Sequence, residues 1–180
     1  VITLPFFTKF LSPEDFGQLA FVVVFGVFIV GLSNFGLITS FERNFFEQKL
    51  LFKKKQLMWS SLFTVFSFMI LLFSVSIFFE KTIFSFLKIT TPDFFLLHVL
   101  IQLGIKSLLQ YFYIFFRNSE NSKAYAKLAI IETILTVGFS LIFVVHYKLG
   151  ILGYVQGHSL GAFAIFLFLI LKDLIKKEIS

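Results

Sequence analysis

The chain has no cysteine, which excludes disulfide bridges and thiolate metal sites. Charge is scarce too. Only 14% of the 180 residues are charged, against about a quarter in a soluble domain. Most side chains therefore never face water. Proline occurs three times, and two of the three, Pro13 and Pro92, stand at boundaries between apolar runs. No His/Glu metal spacing, nucleophile elbow or phosphate-binding glycine loop is present. The segment from Glu80 to Asp93 carries only those two acids, too few for catalysis on a loop. No leader pattern of basic start, short apolar run and small-residue cleavage site opens the chain. It begins at Val1 inside an apolar stretch, and we expect a piece of a longer protein, cut at both ends.

What is present is hydrocarbon. Hydrophobic residues make up 58% of the chain, Phe alone contributes 30 residues, and mean hydropathy is +0.93. The net charge of +6 does not indicate nucleic acid, because the basic residues are confined to short segments between apolar runs. A helix needs roughly 20 apolar residues to cross a bilayer core of about 30 Å. Phe16 to Phe41, Leu57 to Phe79 and Leu149 to Leu171 carry no charge. Phe94 to Phe116 carries only Lys106, and Leu128 to Tyr147 only Glu132. Backbone groups cannot stay unpaired in lipid, so these runs are predicted to be helices. Val1 to Phe10 is too short to span and reads as the end of a truncated helix. The expected fold is an all-α integral membrane protein, a six-helix transmembrane bundle. Its helices cover about 1–10 (partial), 16–41, 57–79, 94–116, 124–147 and 149–171.

Basic residues set the orientation. Eleven fall on one side: Arg43, Lys49, Lys53, Lys54, Lys55, Arg117, Lys123, Lys127, Lys172, Lys176 and Lys177. Four fall on the other: Lys9, Lys81, Lys88 and Lys148. Segments 42–56, 117–127 and 172–180 are therefore expected in the cytoplasm. Lys53, Lys54 and Lys55 suit contact with anionic membrane lipids.

Polar residues at membrane depth carry the functional signal. His98, Gln102, Lys106, Gln110, Tyr113 and Arg117 fall within an arc of about 120° on one helix. A lysine near the bilayer centre costs about 2.5–3.5 kcal/mol and faces a cavity or a partner. The stripe reads either as a cavity wall or as a polar helix–helix seam. On the next helix Tyr125, Glu132, Thr133, Thr136 and Ser140 lie within about 100°. Counted inward from the shared turn, Lys106 and Glu132 sit about 15 Å and about 12 Å deep, which fits a pair across the hairpin. That pair reads as a structural ion pair or as a proton or cation coupling site. Glu132 facing another helix, or protonated, is the third reading. Gly153, Gly157 and Gly161 form a small-residue ridge for close packing. Ser60, Thr64, Ser67 and Ser74 form a small-polar face, also read as packing. Arg43 is either an ordinary cytoplasmic anchor or a phosphate contact.

The segment Leu4-Pro5-Phe6-Phe7-Thr8-Lys9-Phe10-Leu11-Ser12-Pro13-Glu14-Asp15-Phe16-Gly17 resembles the first helix junction of bacterial polysaccharide-repeat flippases. Those proteins belong to the superfamily that also holds multidrug exporters. Ser33-Asn34-Phe35-Gly36-Leu37 followed by Arg43 is similar to the end of their second helix. Ser122 to Gly161, with Lys148-Leu149-Gly150-Ile151-Leu152-Gly153 inside it, is similar to their fifth-to-sixth hairpin. The resemblance covers essentially the whole chain. It implies the N-terminal lobe of a two-lobe flippase, with the second lobe missing. It further implies transport of undecaprenyl-pyrophosphate-linked oligosaccharide from the cytoplasmic to the outer leaflet of the bacterial inner membrane, without catalysis or cofactor. Proton or sodium coupling is compatible with it. In that setting Lys106 would attract the pyrophosphate and Arg43 would meet it first. Gln102, Gln110 and His98 would contact the glycan. Polysaccharide polymerase and glycosyltransferases are the expected protein partners. Three other readings stand beside this one: a multidrug exporter, a membrane-embedded enzyme of envelope glycan synthesis, and a non-transporting scaffold.

Overall fold

The computed structural model describes residues 7–87 and 94–178, with side chains from 7 to 85 and from 94 to 173. Among these residues there are seven α-helices and no strand. They are α1 (Pro13–Asn34), α2 (Leu37–Glu47), α3 (Leu51–Phe78), α4 (Glu80–Leu87), α5 (Phe95–Asn118), α6 (Ser122–Leu141) and α7 (Gly150–Glu178). A π-helical turn, Ile142–His146, extends α6. Five of these elements are long and apolar enough to cross a membrane: α1, α3, α5, α6 with its π-turn, and α7. The chain is an all-α membrane bundle. Of the expected partial helix at 1–10, residues 1–6 lie outside the described residues, as does the predicted Thr91-Pro92 break. Phe7 to Leu11 forms a turn closed by Leu11 N–H donating to the Phe7 carbonyl at 2.8 Å.

Local chemistry sets the helix ends. Ser12 and Asp15 form a capping box: Asp15 N–H donates to Ser12 Oγ at 3.1 Å, and Ser12 N–H to Asp15 Oδ2 at 2.8 Å. Pro13 follows at the first helical position, where its missing N–H is harmless. At the start of α5 the residue before the helix is Phe94, which cannot cap. Glu80 does so instead from 16 positions away, accepting from Leu96 N–H at 3.2 Å. Its carboxylate is buried against the positive end of the helix dipole.

One predicted span is corrected. The run 16–41 is not a single helix, because Phe35 (φ 45°) and Gly36 (φ 75°) are both left-handed and end α1 at Asn34. Gly36 adopts this conformation freely. Phe35 is held in it by its N–H donating to the Gly31 carbonyl at 3.4 Å. The chain then re-forms as the amphipathic α2. Its Phe41 and Phe45 are fully buried, whereas Arg43, Phe46 and Glu47 are exposed. Phe41 packs on Tyr111 and Phe45 on Phe115, with ring centroids 5.6 and 5.7 Å apart. Hydropathy measures whether a run likes lipid and is blind to a backbone turn inside it.

α5 is the central helix, the most buried of the five and packed against α1, α3 and α7. α6 packs along α7 and meets α5 much less. Phe21, Phe28, Phe63, Ile134 and Phe168 point outward, an apolar sheath suited to lipid. Residues 12–18 and 148–151 border one end of the bundle. Leu51, Ser119, Ala124 and Lys172 border the other, here termed the basic end. The small-polar face of α3 is corrected as well. Ser60, Thr64, Ser67 and Ser74 are exposed, and each hydroxyl donates to a carbonyl of its own helix. That internal bond lets a hydroxyl face lipid without a partner helix.

Candidate functional site

α1 and α5 diverge enough to leave a groove of about 290 Å³, lined by Val27, Val30, Gly31 and Asn34 from α1 and by Leu103, Lys106, Ser107 and Gln110 from α5. Its polar floor is built around Asn34. Asn34 Nδ2 donates to Ser107 Oγ at 2.7 Å and to the Val30 carbonyl at 3.0 Å. Tyr111 Oη donates to Asn34 Oδ1 at 3.3 Å. Asn34 thus satisfies the end of α1 and ties it to the middle of α5. Sequence reasoning gave no site role to Asn34, Ser107 or Tyr111, and Asn34 entered only within the helix-end resemblance. The polar pair Ser33-Asn34 ahead of Gly36, in an otherwise apolar run, was the available signal.

Lys106 and Gln110 are exposed on the groove side of α5. Lys106 lies about 16–18 Å from either end of the helix, counting 1.5 Å per residue. That is the depth of a bilayer centre. The other members of the predicted stripe are distributed differently. His98 Nδ1 donates to its own helix at the Phe94 carbonyl, 2.8 Å away, and borders Gln156 and Ser159 of α7. Gln102 is buried, and its Oε1 has no hydrogen-bond partner. Tyr113 donates to Glu132, and Arg117 pairs with Glu42. Arg43 is exposed on α2 and does not border the groove.

The predicted Lys106–Glu132 ion pair is not formed. The ion pairs among the described residues are Lys55–Asp173 and Arg117–Glu42. Glu132 instead accepts from Tyr113, seven residues and about 10 Å along α5 from Lys106. Counting residues from the turn matched the depths and assumed that α5 and α6 stay side by side. They do not, because α6 turns to α7. Near the hairpin turn the two helices still touch, with the Tyr113 and Tyr125 rings 5.2 Å apart. Farther in, Gln156, Ser159 and Leu160 of α7 lie beside His98, Ile101 and Ile105.

The small-residue ridge does what close packing requires. A Cβ at Gly157 would lie 2.3 Å from Ser140 N and Cα, and one at Gly161 2.5 Å from Thr136 N. The hydroxyls of Thr136 and Ser140 donate to carbonyls of α6 itself. This face of α6 is therefore spent on packing.

Comparison with known proteins agrees with this architecture. The profile of a family described as polysaccharide biosynthesis protein matches residues 1–176. No curated protein and no solved structure matches the chain. With nearly its whole length matched and five membrane-crossing helices in place, the chain belongs to the polysaccharide biosynthesis protein family, as a multi-pass membrane protein whose function is of the polysaccharide flippase or exporter kind.

Proposed function

We propose that this chain is the N-terminal lobe of a flippase that moves undecaprenyl-pyrophosphate-linked oligosaccharide from the cytoplasmic to the outer leaflet of a bacterial inner membrane. The observation that carries this reading is Lys106: a cation at bilayer depth, exposed to an open groove, with no carboxylate paired to it among the described residues. Such a charge is costly in hydrocarbon. Water in a central cavity, or an anionic ligand there, offsets that cost. A pyrophosphate meets the same problem from the other side, so the two stabilise each other on meeting. Gln110, Asn34 and Ser107 line the same groove and offer hydrogen bonds to sugar hydroxyls. His98 lies toward α7, and Gln102, with its unpartnered Oε1, does not border the groove, so both would be reached only by a ligand that extends beyond it.

In this mechanism the basic end faces the cytoplasm, and Arg43 on the exposed face of α2 meets the pyrophosphate first. A second lobe would close the groove into a cavity, and the two lobes would open it to each leaflet in turn. Binding, rather than bond chemistry, does the work. Glu132, held by Tyr113 rather than by a cation, is the carboxylate available for proton or sodium coupling. Polysaccharide polymerase and glycosyltransferases would act on either side of the transport step. A multidrug exporter is disfavoured by Lys106, which repels cationic drugs.

The test is surface polysaccharide export in cells carrying the whole gene with Lys106→Met. Export should fall by about tenfold or more, the equivalent of losing a charged hydrogen bond, at unchanged protein level. Lys106→Arg should retain part of it, because the charge persists. Normal export by Lys106→Met would remove this lysine from the substrate path, since a packed apolar residue replaces a merely structural charge.

A further inference from the structure

The basic end holds a second cavity that the α1–α5 groove does not touch. It has a volume of about 410 Å³ and lies where four helix ends converge: the start of α3, the end of α5, the start of α6 and the end of α7. Its walls are of two kinds. Met58, Phe112, Phe115, Phe116 and Leu169 give hydrocarbon toward the membrane interior, whereas Lys55, Lys172, Asp173 and Ser119 give polar groups at the rim. Asp173 is clamped by Lys55 and by Trp59 Nε1, which donates at 2.9 Å. Lys172 lies with its ammonium 5.9 Å from the Phe168 ring centroid. Among the described lining residues, two lysines stand against one aspartate, one net positive charge. Ser119 Oγ is buried without a hydrogen-bond partner, as is Nδ2 of the adjacent Asn118. Buried polar atoms are nearly always paired in folded proteins, so the orphan Ser119 Oγ on the cavity wall points to a partner from outside the chain.

We propose that this cavity binds one anionic phospholipid of the adjacent leaflet, its phosphate at Lys172 and Ser119 and the upper part of an acyl chain among Phe112, Phe115 and Phe116. The layering of the walls matches the layering of a lipid, charged head outward and hydrocarbon inward. A single net positive charge suits one phosphodiester rather than a pyrophosphate. The aromatic walls offer almost nothing to the hydroxyls of a glycan. The site ties α3, α5, α6 and α7 together at the turn between α5 and α6, so its occupant would brace the hairpin from the membrane side.

The full chain, reconstituted in nanodiscs of phosphatidylglycerol and phosphatidylcholine in equal amounts and released for native mass spectrometry, tests this. The wild type should retain one phosphatidylglycerol. Lys172→Gln should lower that retention by about fivefold, the contribution of one lysine near an anionic lipid surface. Met58→Trp, which fills the apolar end, should abolish it with both lysines in place. Lys49→Gln, an exposed basic-end lysine outside the cavity, should retain lipid as the wild type does. Equal retention of phosphatidylcholine, or an equal loss in Lys49→Gln, would overturn the proposal in favour of general surface attraction. Displacement of the lipid by added inorganic phosphate would overturn it in favour of a free anion. Unchanged retention in Met58→Trp would show that the lipid sits elsewhere. None of these readouts depends on transport, so the lipid site and the flippase reading fail or stand separately.

Discussion

The α6–α7 seam and the α1–α5 groove are both contacts between neighbouring membrane helices, yet they are built in opposite ways. In the seam, glycines at Gly153, Gly157 and Gly161 bring backbone onto backbone, with no room for one added carbon at Gly157. Dispersion contacts between close backbones are what hold helices together where lipid already satisfies the apolar side chains. In the groove, glycine works only at Gly26, where a Cβ would meet the side chains of Leu103 and Val99. Two turns farther along α1 the contact becomes polar and open, with Asn34 holding Ser107 while Lys106 and Gln110 border the gap. A small side chain every four residues makes a rigid pair. A polar spacer in the same position makes a pair that can part and admit water or ligand. The chain thus carries a stiff element and an open wall around the same central helix.

The sharpest way to break the comparison is to add carbon to each kind of contact. Gly157→Ala should destabilise the protein by the upper end of the ~1–3 kcal/mol typical of overpacking, seen as a lower melting temperature in detergent. Gly31→Ala and Gly138→Ala have nothing within 4 Å of the added Cβ and should stay within about 0.5 kcal/mol of wild type. Equal effects at all three positions would mean that the seam is not backbone-close. A weaker effect is expected at the polar spacer. Asn34→Ala leaves the Ser107 and Tyr111 hydroxyls without their shared partner and should cost about 1–3 kcal/mol, with Tyr111→Phe recovering part of the loss. Full tolerance of Asn34→Ala would show that the groove is not held by this residue.

The hairpin that joins the two regions gives the next effect. Glu132→Gln and Tyr113→Phe should be non-additive by about 0.5–3 kcal/mol in a double-mutant cycle, because the two side chains touch. Lys106→Met and Glu132→Gln should add within about 0.5 kcal/mol. Coupling in the second cycle and additivity in the first would restore the ion pair that the sequence predicts. The smallest effect belongs to the surface. Glu42 and Arg117 pair at a site 37% and 58% exposed, so Glu42→Gln should change stability by less than about 1 kcal/mol. A larger loss would mean that α2 is pinned to α5 by charge rather than by Phe41 and Phe45.

Much of the fold is legible in the sequence because lipid imposes one rule on every residue of a span. Each long uncharged run became a membrane-crossing helix, and the glycine ridge at 153, 157 and 161 became the close seam. The break at Phe35–Gly36 was hidden from hydropathy, although the resemblance of Ser33-Asn34-Phe35-Gly36-Leu37 to a helix end pointed to it. Ser33 and Asn34 are too few to lower the hydropathy of the run, and the turn forms because Asn34 finds Ser107, 73 positions away. Likewise Lys55 and Trp59 converge on Asp173, with Lys55 118 positions distant from it, and the sequence shows only three unrelated residues. The polar stripe on α5 was visible as a period, but its members serve different neighbours because α5 is surrounded.

The sequence by itself determined the five long membrane-crossing helices seen among the described residues and the placing of Lys106 and Glu132 within two of them. Those follow from hydropathy and helical period, which are properties of one segment against its solvent. The tertiary structure decided which helix each polar group meets. It paired Glu132 with Tyr113, opened Lys106 onto α1 and gathered four helix ends around the basic-end cavity. Azimuth and helix divergence arise only when all the helices pack at once. A residue's depth is written in its own segment, and its partner is written in the others.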